Sequence, residues 1–157
     1  MAVNPGNRGL FCDLAGTLVK TDGNGQLPRD GRGAVVIEML PGVAEVLRPM
    51  RDHLIMVVTN QAAIARGELT LDAVEAGLAQ LDDQLGGILA GWRICPHAET
   101  AQCECRKPRP GMVLDLAQFY GIDLPLSTMV GDQALDEQCA HAAGVGRFVL
   151  ARDFFPR

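Results

Sequence analysis

Short apolar runs alternate along this chain with stretches in which apolar side chains recur every three or four positions. Runs that are apolar throughout are typical of strands buried on both faces of a sheet, and helices usually connect such strands. The pattern therefore predicts an α/β fold, a three-layer, Rossmann-like parallel sheet flanked by helices, in one domain over residues 1–157. Strands are predicted at residues 9–12, 54–58, 92–95, 127–130 and 147–151, and helices at residues 42–51, 71–88, 110–120 and 133–143.

The clearest helix follows Thr70. Its apolar side chains are spaced by three and four residues, which predicts one continuous face packed against the core. This face consists of Leu71, Val74, Leu78, Leu81, Leu85 and Ile88. The helix at residues 110–120 has a proline at its start and Gly121 directly after its end, which are the residues that helix boundaries favour.

Three of the predicted strands end at a polar residue, namely Asp13, Thr59 and Asp132. In open parallel sheets, ligands bind in the crevice outside the carboxyl ends of the strands. Three polar groups at that edge are the first indication of an active site.

Each of these segments also has an ordinary explanation when it is taken alone. Asp13 can cap a turn, Thr59 can cap a helix, and Lys107 can be a solvated surface lysine. Together they supply a carboxylate, a hydroxyl and a cation, and Asp132 with Asp136 adds the hard oxygen ligands that suit Mg²⁺. An anionic nucleophile that attacks a phosphate needs such cations to offset the repulsion. The combination favours phosphoryl transfer.

Three cysteines and one histidine are concentrated in a segment of eleven residues. Structural zinc takes four such ligands, with no open position, and the alternative is a loop with incidental free cysteines. The expected ligands are Cys95, His97, Cys103 and Cys105. We therefore expect a zinc-bound loop at about residues 95–107 that positions the neighbouring Arg106 and Lys107. Cys12 and Cys139 are expected to be buried thiols.

These segments resemble the ordered motifs of the haloacid-dehalogenase (HAD) superfamily. They are most similar to its zinc-containing branch, which includes the heptose bisphosphate phosphatases and the histidinol-phosphatases. The resemblance extends from about Leu10 to Leu150, and its most specific part is CECRKPRPGM. The other segments that carry it are DLAGTL, TNQAAIARGELT, CPH and VGDQALD.

The resemblance implies a HAD-like fold without a large cap domain, and a Mg²⁺-dependent phosphatase or phosphotransferase for a small phosphorylated metabolite such as a sugar phosphate. It implies that Asp13 is the nucleophile and takes up the phosphoryl group as an aspartyl-phosphate. Thr59 and Lys107 would bind the phosphoryl oxygens. The residues that it implies for substrate binding are Asn60, Arg66 and Arg106.

The resemblance also implies two metal ions with different roles. Mg²⁺ would be held by Asp13, Asp132 and the backbone carbonyl of Ala15, while Asp136 would orient these groups without touching the ion. Zinc would be structural, because four protein ligands leave no open position.

Ala15 departs from the pattern of these phosphatases, which carry a second aspartate two residues after the nucleophile. That aspartate protonates the leaving group and then activates water, and alanine cannot move a proton. A positioned general acid contributes about 10²–10⁴ in rate, or roughly 3–5 kcal/mol. The sequence therefore favours a slow phosphatase, and the alternative is a catalytically impaired homologue that binds a phosphorylated ligand or a protein partner.

A second alternative is a C–P hydrolase, because Asp-x-Ala-Gly-Thr also resembles the phosphonoacetaldehyde hydrolases of the same superfamily. Those enzymes use a lysine from a cap domain, and Lys20 is the only lysine here besides Lys107. The glycine-rich segment at residues 19–40 is expected to be a flap or hairpin. Its Arg29 and Arg32 are candidates for reaching a distal anionic group of the substrate.

Composition narrows the class of partner. A hydrophobic fraction of 48% suits a globular protein, and a net charge of −5 argues against binding to nucleic acid or to an anionic membrane. The chain has no apolar run of the roughly 20 residues needed to span a bilayer and no signal-peptide pattern. We therefore expect a cytoplasmic monomer or small homo-oligomer.

Overall fold

Five parallel strands form one sheet in residues 7–156, the part of the chain that this computed structural model describes. The strands are β1 (Gly9–Cys12), β2 (Leu54–Asn60), β3 (Leu89–Cys95), β4 (Thr128–Gly131) and β5 (Arg147–Leu150). Their order across the sheet is β3-β2-β1-β4-β5, with β1 at the centre. The chain runs outward from β1 first on one side and then on the other, so the ends of β1, β2 and β4 lie where the strand order reverses.

Helices connect these strands. Within the described residues they are α1 (Val43–Leu47), α2 (Ala62–Ala65), α3 (Leu71–Gln84), α4 (Gly111–Tyr120), α5 (Ala134–Ala143) and α6 (Ala151–Phe154). α3 is capped by Thr70, whose hydroxyl accepts a hydrogen bond from the backbone N–H of Ala73 at 3.1 Å. α4 ends at Gly121, which takes the left-handed conformation with φ 66°. No described helix is long and apolar enough to cross a membrane.

Apolar side chains cover both faces of the sheet. On β1, Leu10 and Cys12 belong to one buried cluster, whereas Phe11 between them belongs to another, as the alternation of strand side chains requires. α1 and α3 pack in the first cluster, and α4 and α5 pack in the second. Helices on both faces make the three layers that the apolar pattern predicts, so the predicted fold class is confirmed.

The predicted end of α3 and the predicted burial of Leu71 are both wrong, because glycines and the helix end override the apolar pattern. α3 stops at Gln84, short of the expected end at residue 88, because Gly86 and Gly87 take positive φ angles of 88° and 77°. Leu71 was expected in the core, but its position at the start of α3 leaves it 43% exposed. The buried face of α3 therefore begins at Val74.

Other differences concern short elements. α1 ends at Leu47, earlier than expected, whereas β2 continues to Asn60 and β3 already begins at Leu89. Ala151 was expected in the last strand but begins α6. The sequence does not predict α2 and α6, because four residues are too few to show a helical period.

The segment at residues 19–40 folds back on itself. Two antiparallel backbone bridges hold it together, one of them between Val19 and Met39. Several of its apolar residues, including Leu27 and Ile37, are buried in the same cluster as residues of α3. Within the described chain, this segment stands in place of a large cap domain.

Candidate active site

The carboxyl ends of β1, β2 and β4 bring Asp13, Thr59 and Asp132 to one edge of the sheet. The backbone N–H of Asp13 donates to the carbonyl of Val130 at 3.0 Å, which continues the pairing of β1 with β4. Carboxylate oxygens of Asp13, Asp132 and Asp136 all lie within 4.8 Å of one another. The structure thus brings together side chains that are more than 100 residues apart in the sequence.

Two glycines allow the carboxylates to approach so closely. Gly16 has φ 82°, and a Cβ on it would lie 2.5 Å from Oδ2 of Asp132. A Cβ on Gly131 would lie 2.5 Å from Oδ2 of Asp136. Any larger residue at either position would displace a carboxylate from the cluster, so both glycines are required by the site.

Lys107 lies between two of the carboxylates, with only 2% of its surface exposed. Its Nζ donates to Oδ1 of Asp13 at 2.7 Å and to Oδ1 of Asp136 at 2.8 Å. The third acceptor is the backbone carbonyl of Val58 at 3.0 Å. All three ammonium donors therefore have partners, and the cation is fixed beside Asp13.

Burial and charge act against each other in this group. Burial raises the pKa of Asp13, and the neighbouring ammonium of Lys107 only partly offsets this. Burial also raises the pKa of Asp136, with a further contribution from the charge of Asp13. Burial alone would lower the pKa of Lys107, but the two carboxylates outweigh it and raise that pKa above its ordinary value. Lys107 is therefore a firmly held cation.

Asp136 orients its neighbours through its second oxygen. Oδ2 accepts the backbone N–H groups of Asp132 at 3.2 Å and Gln133 at 3.1 Å, at the start of α5. With Oδ1 bonded to Lys107, Asp136 links the strand end that carries Asp132 to the cation beside Asp13. This placement fits the positioning role that the resemblance implies for Asp136.

Thr17 is a site residue that the sequence reasoning missed. Its hydroxyl lies 3.1 Å from Oδ1 of Asp132 and 3.4 Å from Oδ2 of Asp13, and the residue is fully buried. A hydroxyl four residues after Asp13, behind the glycine turn, is a signal that could have pointed to this contact.

Thr59 lies at the end of β2 with 1% of its surface exposed, and it lines the same cavity as Asp13. Its hydroxyl oxygen accepts a hydrogen bond from Nε2 of Gln61 at 2.9 Å. That contact leaves the hydroxyl proton of Thr59 for another acceptor. Gln61 is a second residue whose contact the sequence did not indicate.

Asn60 holds the backbone of Lys107 by two hydrogen bonds. Its Oδ1 accepts the N–H of Lys107 at 3.0 Å, and its Nδ2 donates to the carbonyl of Lys107 at 3.1 Å. Asn60 also lines the cavity, but the contacts that the structure shows for its side chain are to Lys107. Asn60 therefore fixes the backbone of Lys107 and also forms part of the cavity wall.

The oxygen cluster is chemically suited to Mg²⁺. Carboxylate oxygens of Asp13 and Asp132 both lie within hydrogen-bond distance of the Thr17 hydroxyl, and Ala15 lines the same cavity as Asp13. Hard oxygen ligands from one or two carboxylates are what Mg²⁺ takes in phosphate-binding sites. Among the residues that the structure describes, the three carboxylates face one buried cation, Lys107, so a divalent ion would offset the excess negative charge.

The four zinc candidates also come together. Sγ of Cys95 lies 3.0 Å from Sγ of Cys105 and 3.8 Å from Sγ of Cys103, and Nδ1 of His97 lies 3.4 Å from Sγ of Cys95. Tetrahedral zinc with bonds of about 2.3 Å places its sulfur ligands about 3.8 Å apart. The distance from Cys95 to Cys103 matches this spacing, and the distance from Cys95 to Cys105 is shorter. Three sulfurs and one imidazole within 4.8 Å of one another fit a structural zinc ion.

The thiols of this cluster differ in acidity. Burial raises the pKa of Cys95 to about 12. Burial acts on Cys103 in the same direction, but hydrogen bonds, led by the backbone N–H of Arg106, lower its pKa to about 6. Cys12 and Cys139 lie apart from the cluster, and burial raises the pKa of both thiols, that of Cys139 to about 11.

A cavity of about 300 Å³ opens above the carboxylates. Asp13, Ala15, Thr59 and Lys107 lie in its wall. The 19–40 segment contributes Gly25, Gln26 and Leu27, and the remaining wall includes Arg66, Glu99 and Arg106. The cavity is therefore bounded by groups that can bind an anion and by the loop that carries the cluster of cysteines and His97.

Three basic residues that the sequence offered as candidates do not line this cavity. Lys20 forms an exposed ion pair with Glu38 at 2.9 Å. Arg29 donates to the backbone carbonyl of Glu68, and Arg32 is exposed on the same segment. The expectation that the arginines reach a distal anionic group is not supported by their positions.

The comparisons with known proteins agree with this geometry. Residues 104–153 match the HAD-hydrolase-like family model. The D-glycero-β-D-manno-heptose-1,7-bisphosphate 7-phosphatase of Rhodopseudomonas palustris is 36% identical over 124 residues, which are 71% of this chain and 69% of that protein. The enzyme of the same name from Salmonella typhi is 38% identical over 131 residues, 73% of this chain and 68% of that protein.

Solved structures lead to the same group. The D,D-heptose 1,7-bisphosphate phosphatase of B. bronchiseptica, complexed with magnesium and phosphate, superposes with a TM-score of 0.78 at 28% identity, over 89% of this chain and 78% of that one. A putative HAD-like phosphatase from Mesorhizobium loti has a TM-score of 0.74 at 27% identity, over 88% of this chain and 69% of that one.

Proposed function

This chain belongs to the haloacid-dehalogenase family as a relative of the heptose bisphosphate phosphatases, and from this premise we propose that it is a Mg²⁺-dependent phosphatase that uses Asp13 as its nucleophile. The activity that the relatives support is hydrolysis of a phosphoric monoester, with a phosphorylated sugar as substrate. The observation that carries the assignment of Asp13 is its ion pair with the buried Lys107 at 2.7 Å, beside Asp132 at the sheet edge.

The reaction has two steps at phosphorus. In the first, a carboxylate oxygen of Asp13 attacks, the bond from phosphorus to the sugar oxygen breaks, and the sugar oxygen leaves with the electron pair and takes up a proton. In the second, water attacks the aspartyl-phosphate and loses a proton, and inorganic phosphate departs from the regenerated carboxylate. Charge accumulates on the phosphoryl oxygens throughout, so positioned cations and donors carry most of the catalysis.

Lys107 and Thr59 are placed to act on those oxygens. Lys107 offsets part of the effect of burial on the pKa of Asp13, it orients that carboxylate, and it brings a fixed positive charge to the transferred group. The hydroxyl of Thr59 accepts from Gln61 and keeps its own proton, which it can donate to a phosphoryl oxygen. We further propose that Asn60 acts by holding Lys107 as well as by bounding the substrate, and that Arg66 and Arg106 contact the part of the substrate distant from phosphorus.

Metal ions complete the proposed site. Asp13, Asp132 and the carbonyl of Ala15 would hold Mg²⁺, which when bound neutralises charge on the phosphoryl group. Asp136 would position these ligands through its bonds to Asp132 and Lys107. Cys95, His97, Cys103 and Cys105 would hold a structural Zn²⁺ that fixes the loop in front of Lys107.

Ala15 supports a second candidate, a homologue that binds a phosphorylated ligand without turnover. In the described part of the cavity wall, no free titratable group stands where the family's second aspartate would be. If the protein is instead a slow phosphatase, its best substrates should be those whose leaving groups need no protonation, such as aryl phosphates. The position of Lys20 does not support the C–P hydrolase hypothesis. That hypothesis needs a lysine in the active site besides Lys107, whereas Lys20 is paired with Glu38 outside the cavity.

Turnover of p-nitrophenyl phosphate and of a panel of sugar mono- and bisphosphates, with Mg²⁺ and zinc-loaded protein, tests the proposal. Asp13→Asn should abolish turnover and the phosphorylated Asp13 that mass spectrometry would detect after acid quenching. Asp132→Asn should chiefly raise the Mg²⁺ concentration needed for half-maximal rate. Full activity of Asp13→Asn would refute the nucleophile, and binding without turnover of any phosphate would favour the second candidate.

A further inference from the structure

The zinc-bearing loop carries an acidic residue, Glu99, in the wall of the cavity. Its Oε1 lies 3.5 Å from Nη1 of Arg66 and 4.0 Å from Nη2 of Arg106. All three residues line the same cavity as Asp13. One carboxylate oxygen thus stands between two guanidinium groups that face the substrate space.

While Glu99 lies beside Arg66 and Arg106, the two arginines present little net positive charge to a substrate. Arg66 is also paired through Nε with Oε1 of Glu68 at 3.2 Å. Two arginines and two glutamates sum to zero charge. Arg106 is further tied to the zinc loop, since its Nη1 donates to the carbonyl of His97 at 3.4 Å. The two arginines are arranged as in an anion-binding site, but the carboxylate of Glu99 already neutralises their charge.

We propose that Glu99 is a specificity-determining residue, an internal anion that occupies the place between Arg66 and Arg106 where a second phosphate of a sugar bisphosphate would bind. The inference rests on the proposed function, because it needs the first phosphate at Asp13. A substrate with a second anionic group has to displace Glu99, whereas a monophosphate does not. Glu99 therefore reduces the preference for bisphosphates that the arginines would give alone.

A substrate anion can displace Glu99 because the ion pairs of Glu99 with the two arginines are weak. Its side chain is 63% exposed, and exposed ion pairs of this kind correspond to about 1.4- to 5-fold in an equilibrium constant each. A phosphate offers several oxygens to the planar donors of arginine and binds them more strongly than a single distant carboxylate oxygen does. Two such pairs together correspond to about 2- to 25-fold, and about three- to tenfold, the middle of this range, is the expected effect.

Glu99→Gln tests the inference, because it removes the charge and keeps the shape. The dissociation constants of glucose 1,6-bisphosphate and glucose 6-phosphate are measured by calorimetry on zinc-loaded protein with saturating Mg²⁺. The variant should bind the bisphosphate about three- to tenfold more tightly, while the affinity for the monophosphate changes less than about twofold. Raised salt should shrink the difference, because the charges are exposed.

Glu68→Gln is the matched control. It removes the same charge from a partner of the same Arg66, but Glu68 does not line the cavity, so the ratio of the two affinities should stay near that of the wild type. Turnover of p-nitrophenyl phosphate, measured in parallel, separates the two proposals. A shifted ratio without turnover supports Glu99 and counts against the proposed catalysis. An unchanged ratio, a loss of bisphosphate affinity, an equal shift in Glu68→Gln, or no binding of either sugar phosphate overturns the inference.

Discussion

Replacing Ala15 by aspartate tests whether this protein lacks only a group for proton transfer. Ala15 lies two residues after Asp13 and lines the same cavity. The other titratable groups in the described wall are already engaged. Lys107 is held by Asp13 and Asp136, and the pKa of Glu99 is kept below its usual range by a backbone hydrogen bond and, to a smaller extent, by the charges of Arg106 and Arg66. None of them is poised to protonate a leaving sugar oxygen.

The size of the effect follows from what the new carboxylate would do. A positioned general acid and base contributes about 10²–10⁴, or about 3–5 kcal/mol of the barrier. We expect a gain at the lower end of this range, about 10²-fold. A fourth acid beside Asp13, Asp132 and Asp136 also adds negative charge around one buried lysine. The variant should therefore depend more strongly on Mg²⁺ for its stability.

The assay compares the wild type, Ala15→Asp and Ala15→Asn at saturating Mg²⁺ for each form. Asparagine has nearly the size of aspartate but cannot transfer the proton, so it controls for packing. Ala15→Asp should accelerate a sugar phosphate by more than it accelerates p-nitrophenyl phosphate, whose leaving group needs no acid. An equal gain in Ala15→Asn would contradict the reasoning. A wild-type rate of about 10 s⁻¹ on a sugar phosphate, which is ordinary for an enzyme, would show that another residue supplies the proton.

Two further predictions concern the metal loop and the buried lysine. Chelation of zinc should make Cys103 and Cys105 reactive toward a thiol reagent, Cys103 first, because both are only partly buried and the pKa of Cys103 is lowered to about 6. Cys12 and Cys139 should stay protected until the protein unfolds, because both are buried with raised pKa values. Fast reaction of Cys103 and Cys105 in zinc-loaded protein would contradict the proposed site. Lys107→Met should lower the free energy of unfolding in urea by about 3–5 kcal/mol, since it leaves two buried carboxylates without their cation. Mg²⁺ should restore part of that loss, and an unchanged unfolding midpoint would be inconsistent with the ion pairs.

The sheet and its polar edge could be predicted because they depend on local patterns. Runs such as residues 54–58 are apolar throughout, which only a strand covered on both faces requires. Asp13 and Asp132 then follow from parallel topology, since the carboxyl ends of neighbouring strands meet at one edge. The cluster of cysteines and histidine proposed to bind zinc was equally accessible, because all four residues fall within eleven positions.

Contacts between distant segments could not be predicted in this way. Asn60 reaches the backbone of Lys107 across 47 residues, and Thr17 reaches Asp132 across 115. No periodicity encodes which side chain faces which across a loop. Glu99 is similar, since its role depends on Arg66 from a different element, and in the sequence it is an ordinary loop glutamate. The predicted burial of Leu71 is wrong for the opposite reason. Its spacing fits the buried face of α3, but its position at the start of the helix leaves it exposed to solvent.

The position of Lys107 also bears on whether the protein turns over a substrate. A lysine buried between two carboxylates contributes little to the stability of the fold. The free energy needed to remove three charges from water often exceeds the free energy gained from their attraction. Well-packed apolar side chains in the same space would stabilise the fold at least as well. The structure nevertheless holds this cation from several sides, with Asn60 on its backbone and the carboxylates of Asp13 and Asp136 on its ammonium group. Such an arrangement is explained by a phosphoryl group that must be neutralised beside Asp13, and this favours a phosphatase slowed by Ala15 over a homologue that only binds its ligand.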